Sequence, residues 1–256
     1  MGVLAAERIK FTTTKSPWWC SAIVVVLGLG FGALLGLAAK LATDADNMGE
    51  IPPTTAYDVV GSGVGGFGIM VLMILAALTV TSEYRFGLIR TTFQAVTNRA
   101  SVLGAKALIV GVYGAVLSLV LAFGAFYLAK ALAGEEAGAL LSFDVDGTWR
   151  VIYGTAILAF LQIVLAVGVG ALLRQSAGAI AVLLLWPLLL ENLVGIIPKV
   201  GEKIQPFLPF QNANHFLGAG GGIDFHWGPI GSLIYFIAFT AVVFGAAVLV
   251  VNRRDA

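Results

Sequence analysis

The sequence predicts an all-α integral membrane protein with six transmembrane helices, and three observations carry that prediction. Hydrophobic residues make up 59 % of the chain and charged residues only 11 %, with a mean hydropathy of +0.96; this is too apolar for a soluble domain. The apolar residues fall into runs of the length a bilayer demands, about 20 residues for a helix. The polar segments between the runs alternate in character, basic then acidic, along the 256 residues.

The elements follow in order. The first 16 residues are polar and basic, with Arg8, Lys10 and Lys15 outweighing Glu7. A first span follows over about 17–41, too long for the apolar region of a cleaved secretory signal. Gly28, Gly32 and Gly36 repeat every four residues on it and form a stripe for close helix packing. Residues 42–58 are acidic, with Asp44, Asp46, Glu50 and Asp58 around Pro52-Pro53.

A second span covers about 59–80. Its start, GSGVGGFG, matches G-x-G-x-x-G at Gly61, Gly63 and Gly66. A dinucleotide site needs a strand before the motif and an acid beyond it, whereas these glycines lead straight into IMVLMILAALTV, so helix packing is the expected use. A third span covers about 102–133, a second acidic loop about 134–149 and a fourth span about 151–173. The break Arg174–Gly178 leads into a fifth span, about 178–197, which Pro187 must kink or interrupt. A proline- and aromatic-rich loop over 198–227 reads as a segment at the bilayer surface. The sixth span, about 229–251, ends at Asn252-Arg253-Arg254. One transmembrane domain accounts for residues 1–256. The single cysteine, Cys20, excludes an intramolecular disulfide and a cysteine metal site.

Charge sets the orientation. With both termini, residues 81–106 and Arg174 on one side, that side holds Arg8, Lys10, Lys15, Arg85, Arg90, Arg99, Lys106, Arg174, Arg253 and Arg254. The other side holds Lys40, Lys130, Arg150, Lys199 and Lys203. The positive-inside rule places the first set, and both termini, in the cytoplasm.

The stretch 81–106, TSEYRFGLIRTTFQAVTNRASVLGAK, is the longest polar segment on that side. From Arg85 onward it reads as an amphipathic helix. Ile89, Phe93, Val96 and Ala100 share a narrow sector, and Arg90, Gln94 and Asn98 lie opposite. Such a helix can rest its apolar face on a bundle or bilayer and offer its polar face to a soluble partner. The same residues also read as a solvated basic loop that obeys the topology rule.

Enzyme signatures are missing. The sequence has no G-x-x-x-x-G-K-[ST], H-E-x-x-H or G-x-S-x-G. His215, Asp224 and His226 are too loosely spaced to argue for a metal. Inside the spans, Glu191 and Asn192 are the strongly polar neighbours of the fifth. An intramembrane carboxylate is a functional candidate, for a translocation cavity here, unless it sits close enough to the outer surface to reach water. Gln162 in the fourth span reads as an interhelical hydrogen bond or a cavity contact.

Several of these segments together resemble one family, the membrane (permease) subunit of type-2 ABC transporters in its short actinobacterial-like form. AAERIKFTTTKSPWW resembles the family's lead-in, an interfacial helix ending in a Ser/Thr-rich turn and a Trp pair. SEYRFGLIRTTFQAVTNRASVLGAKAL resembles its first cytoplasmic loop. There Glu83, Arg85, Gly87, Ile89, Arg90 and Lys106 match the form E-x-R-x-G-T-I-R followed by a hydrophobic helix and a Lys, and Leu88 replaces the usual Thr. GVGALLRQSAGAIAVLLLWPLLL and PFLPFQNANHF are similar to the family's junction between fourth and fifth spans and to its last outer loop.

The resemblance implies a plasma-membrane exporter subunit that pairs with a second permease, identical or different, and docks two separate ATPase subunits. The 85–98 segment becomes the coupling helix, with Glu83, Arg85, Arg90, Gln94, Asn98 and Arg99 as ATPase contacts. ATP and magnesium belong to the partner, and this chain holds no cofactor. Besides these subunits, membrane lipid is an expected partner and nucleic acid is not. The expected substrate is hydrophobic or amphipathic. A non-transporting membrane scaffold and an ion-coupled secondary transporter are the rival readings. The latter calls for repeats and buried acids near the midplane; no clear internal repeat is visible, and Glu191 is its one candidate ion site.

Overall fold

The computed structural model describes residues 2–44, 54–96, 98–197, 201–219 and 222–254. Asp46, Glu50, Pro52, Pro53, Pro198 and Lys199 lie outside the described residues, as do the side chains of Asp44, Arg90 and Arg254. Ten helices are labelled here. They are α1 (Val3–Thr13), α2 (Ser16–Asp44), α3 (Ala56–Arg85), α4 (Leu88–Ala95), α5 (Arg99–Leu132), α6 (Gly134–Leu140), α7 (Thr148–Leu173), α8 (Ser176–Ile196), α9 (Pro209–Leu217) and α10 (Pro229–Arg254). No strand occurs among the described residues. Six of the helices, α2, α3, α5, α7, α8 and α10, are long and apolar enough to cross a membrane. They coincide with the six expected spans and extend several of them by a few residues.

Burial sorts the six. In α3 and α7, 56 % of the most apolar window is buried, against 22 %, 17 % and 22 % in α2, α8 and α10. The first two are therefore the centre of the bundle, and the others turn apolar side chains such as Val26, Leu189 and Val242 outward. That is the pattern of helices solvated by lipid rather than water.

The glycine stripe on α2 sets one interhelical distance. A Cβ on Gly36 would stand 2.6 Å from the carbonyl oxygen of Ala129 on α5, and one on Gly32 would stand 2.9 Å from that of Ala125. One on Gly28 would meet Val64 of α3 at 2.9 Å. Only hydrogen at these positions lets the backbones come so close, which is how helices gain dispersion energy where no hydrophobic effect separates protein from lipid.

GSGVGGFG forms no loop. Gly61–Gly68 is a π-helical segment inside α3, continuous with the membrane-crossing helix, and a Cβ on Gly63 would collide with Phe31 at 2.8 Å. A second π-helical segment, Trp186–Leu190, contains Pro187. The expected kink is absorbed by this wider turn, which accommodates a residue that lacks an N–H.

α5 has 34 residues and is about 51 Å long at 1.5 Å per residue. That exceeds the roughly 30 Å of hydrocarbon, so its polar first turns extend past the apolar slab. At the far end, Phe143 from the segment after α6 packs on Phe126 (4.7 Å between ring centroids) and Trp149 (4.6 Å).

Candidate functional site

The basic stretch folds in three pieces rather than as one helix from 85 to 98. α3 runs out at Arg85, and Gly87 takes a left-handed conformation at φ 71°, which a residue with a Cβ adopts at a cost. The chain then restarts as α4 and ends at Val96, whose backbone is extended. Asn98 opens the next span instead of extending this helix: its side chain accepts from the Ser101 N–H at 3.1 Å and caps α5.

Within α4 part of the expected division of faces is present, since Ile89 and Phe93 turn inward and Gln94 outward. Ile89 is buried and Phe93 half-buried, in a cleft shared with Val80, Leu103 and Val251. Leu88, Thr91 and Gln94 are exposed, as are Arg85 and Phe86 just before them. Arg99 turns inward: its guanidinium lies 5.2 Å from the Phe93 ring centroid and donates to the Val251 carbonyl at 3.3 Å. It thereby joins α4, α5 and the end of α10.

Glu83 also points away from the surface. It belongs to a four-charge network that joins α1 to the ends of α3 and α5. Lys106 Nζ donates to Glu7 Oε2 at 2.6 Å and to Glu83 Oε1 at 2.7 Å. Lys10 Nζ donates to Glu7 Oε1 at 3.0 Å and to Glu83 Oε1 at 3.1 Å. Glu7, Glu83 and Lys106 are buried, whereas the Lys10 side chain is 45 % exposed. Burial pulls the Lys10 pKa down, but its hydrogen bonds and charge contacts with Glu7 and Glu83 leave it raised above the ordinary value. Two acids meet two bases, so the network is neutral, and it seats α1 against the bundle. Together with Arg99–Val251 it puts α1, α4, the start of α5 and the end of α10 at one end of the molecule.

These partners are far apart in the chain, and the sequence reading missed them. The available signal was composition: Glu7 and Glu83 are isolated acids on an otherwise basic side.

The other candidates sit elsewhere. Glu191 is 1 % exposed and faces the start of α9. Its carboxylate accepts from the backbone N–H groups of Phe210 (3.0 Å) and Gln211 (2.7 Å) and from the Trp186 indole (3.0 Å). It therefore supplies acceptors to the first turn of a helix that begins with Pro209. Asn192 is exposed and donates to Leu188 O at 2.8 Å in its own helix. Gln162 is buried in α7.

Around α9 the segment before α10 is a folded polar cluster. Asn212 donates to Pro206 O (2.7 Å) and Leu208 O (2.9 Å) and accepts from the Trp227 indole (2.8 Å). His215 shares a 2.8 Å hydrogen bond with Ser232 and stacks on Phe225 at 3.9 Å. No metal-binding group of three His, Cys, Asp or Glu side chains occurs among the described residues.

No protein-family model matches this chain, and neither does any curated protein or solved structure.

Proposed function

We propose that this chain is the membrane-spanning subunit of an ATP-driven type-2 ABC exporter, acting on a hydrophobic or amphipathic substrate and paired with a second permease. The observation that carries the reading is α4. It is a short amphipathic helix between two spans, set off by Gly87 and seated through Ile89 and Phe93, with Leu88, Thr91 and Gln94 left uncovered. Such a helix suits a groove on a soluble ATPase. Its contact set is then Arg85, Gln94 and the α4 positions around them, including Arg90, while Glu83, Asn98 and Arg99 hold α4 and its neighbours in place.

The Arg99 bridge ties α4 to α5 and α10, and the buried network ties α5 in turn to α1 and α3, so a push on α4 is passed to several spans together. ATP and magnesium sit on the partner, and this chain acts as a transport subunit with no ATP site of its own. Localisation follows as a bacterial plasma membrane with both termini cytoplasmic. The ion-coupled alternative draws on Glu191, whose carboxylate is already engaged by three donors.

Two measurements test the reading. In a Cys20→Ser background, a cysteine at Gln94 is shielded from membrane-impermeant reagent in intact cells, whereas one at Leu140 labels; equal labelling of both contradicts the orientation. The double substitution Arg85→Glu/Gln94→Glu lowers ATPase recovery and transport by about tenfold, the loss of one charge-assisted contact, with membrane insertion unchanged. Unchanged ATPase recovery contradicts the docking role.

A further inference from the structure

A cavity of about 530 Å³ lies between α1, α3, α4 and the start of α5, within the range of small-molecule sites. Leu75, Leu78, Ile109 and Val110 give it an apolar wall. Thr13, Thr14, Thr79, Ser82, Thr91 and Thr92 give it a hydroxyl lining. Every one of these six hydroxyls spends its proton on a backbone carbonyl. Thr13 donates to Ile9, Thr14 to Phe11, Thr79 to Ala76 and Ser82 to Leu78, and both Thr91 and Thr92 donate to Leu88. A hydroxyl has one proton and two lone pairs, so these six oxygens are left as acceptors, beside the Lys10 and Lys106 ammoniums and the Ser16 hydroxyl that line the same cavity.

Glu7 and Glu83 border the same cavity and add carboxylate oxygens. The Glu83 side chain is only 9 % exposed, yet its Oε2 has no hydrogen-bond partner among the described residues. A buried acceptor left unpaired is costly. Lys10 bridges the two carboxylates on a flexible, half-exposed stem, and its ammonium can swing to water.

We propose that this cavity binds a small amphipathic organic amine. The ammonium donates to the hydroxyl oxygens and to the Glu7 and Glu83 carboxylates in place of Lys10, and the hydrocarbon lies on Leu75, Leu78, Ile109 and Val110. A phosphate or carboxylate head could meet the Lys10 and Lys106 ammoniums, but it would leave the buried Glu83 Oε2 unpaired, which only a donor satisfies. The site needs no ATPase, so its test is independent of the transporter reading.

The probes are photoreactive octylamine and its octanol and octanoic acid counterparts, with the full-length chain in phosphatidylcholine nanodiscs and the labelled peptides read by mass spectrometry. The amine labels the peptides holding Leu75–Ser82 and Ile109–Val110 about tenfold more than either counterpart, as one charge-assisted hydrogen bond requires. Lys10→Met, which removes the competing ammonium from a half-exposed position, raises amine labelling further. Thr92→Val, which removes an acceptor and keeps the shape, lowers it. Equal labelling by all three probes makes the cavity a greasy cleft and overturns the proposal. So does a preference for the acid, or amine labelling that does not rise in folded Lys10→Met.

Discussion

Two buried carboxylate sites, one at each end of the molecule, solve the same problem differently. At the basic end Glu7 and Glu83 are neutralised by the full charges of Lys106 and Lys10. At the acidic end Glu191 meets no cation among its hydrogen-bond partners and is held by two backbone N–H groups and an indole. The first arrangement joins three separate elements, keeps one half-exposed member and borders a cavity. The second closes on a single helix terminus. A charge network of the first kind can exchange partners when its surroundings move, whereas the Glu191 site is fixed in geometry and serves as a clasp between α8 and α9.

The largest expected effect comes from breaking the network at its most buried base. Lys106→Met leaves two carboxylates without their shared cation and costs about 3–5 kcal/mol, seen as a collapse of folded yield or a lower thermal midpoint in detergent. Adding Glu83→Gln restores part of the loss, because the surplus charge is then removed. If Lys106→Met is as stable as the unmodified protein, the network does not seat α1.

Glu191→Gln is milder. The amide keeps one oxygen for two backbone donors, a loss of about 1–2 kcal/mol, and the amides of Phe210 and Gln211 exchange hydrogen faster. Transport falls only in proportion to stability. A large loss of transport with stability intact would return Glu191 to a cavity role and remove the contrast drawn here.

A smaller effect is expected at His215. Burial, then the Arg150 charge, holds its pKa below the ordinary 6.5. The folded protein therefore prefers the neutral ring. That contribution is complete above pH 6.5 and is lost as pH falls through the lowered folded value. Acidification loosens the α9–α10 junction by less than about 1 kcal/mol, read from Trp227 emission, and His215→Gln removes the pH dependence. The smallest effect belongs to Lys10→Met, within about 1 kcal/mol because the lysine is half exposed. Set beside Lys106→Met, it separates the structural cation from the exchangeable one.

The contrast also marks what the sequence discloses. Span number and placement were legible because apolar length is written locally, and the stripe Gly28, Gly32 and Gly36 is a local repeat. The amphipathic segment was legible in kind, since Ile89 and Phe93 are four apart. Its extent was not: Gly87 stops one helix and Asn98 starts another, and both positions fit a continuous periodicity. The network was hidden because Lys106 and Glu7 are 99 residues apart, and each on its own reads as an ordinary polar flank of a span. Glu191 was visible as a polar residue in an apolar run. Its partners were not, because two of them are backbone amides 19 and 20 residues further on, which carry no side-chain signal.

The central claim is that α4 is the docking surface for a separate ATPase, and crosslinking from Gln94 tests it most directly. A photoreactive amino acid is placed at Gln94 in cells of the native host, with Leu140 at the opposite end as control, and adducts are identified by mass spectrometry. The account predicts an adduct from position 94 to a polypeptide with the phosphate-binding loop that this chain lacks, and none from position 140. An adduct to such an ATPase from neither position, with the protein inserted and folded, contradicts it.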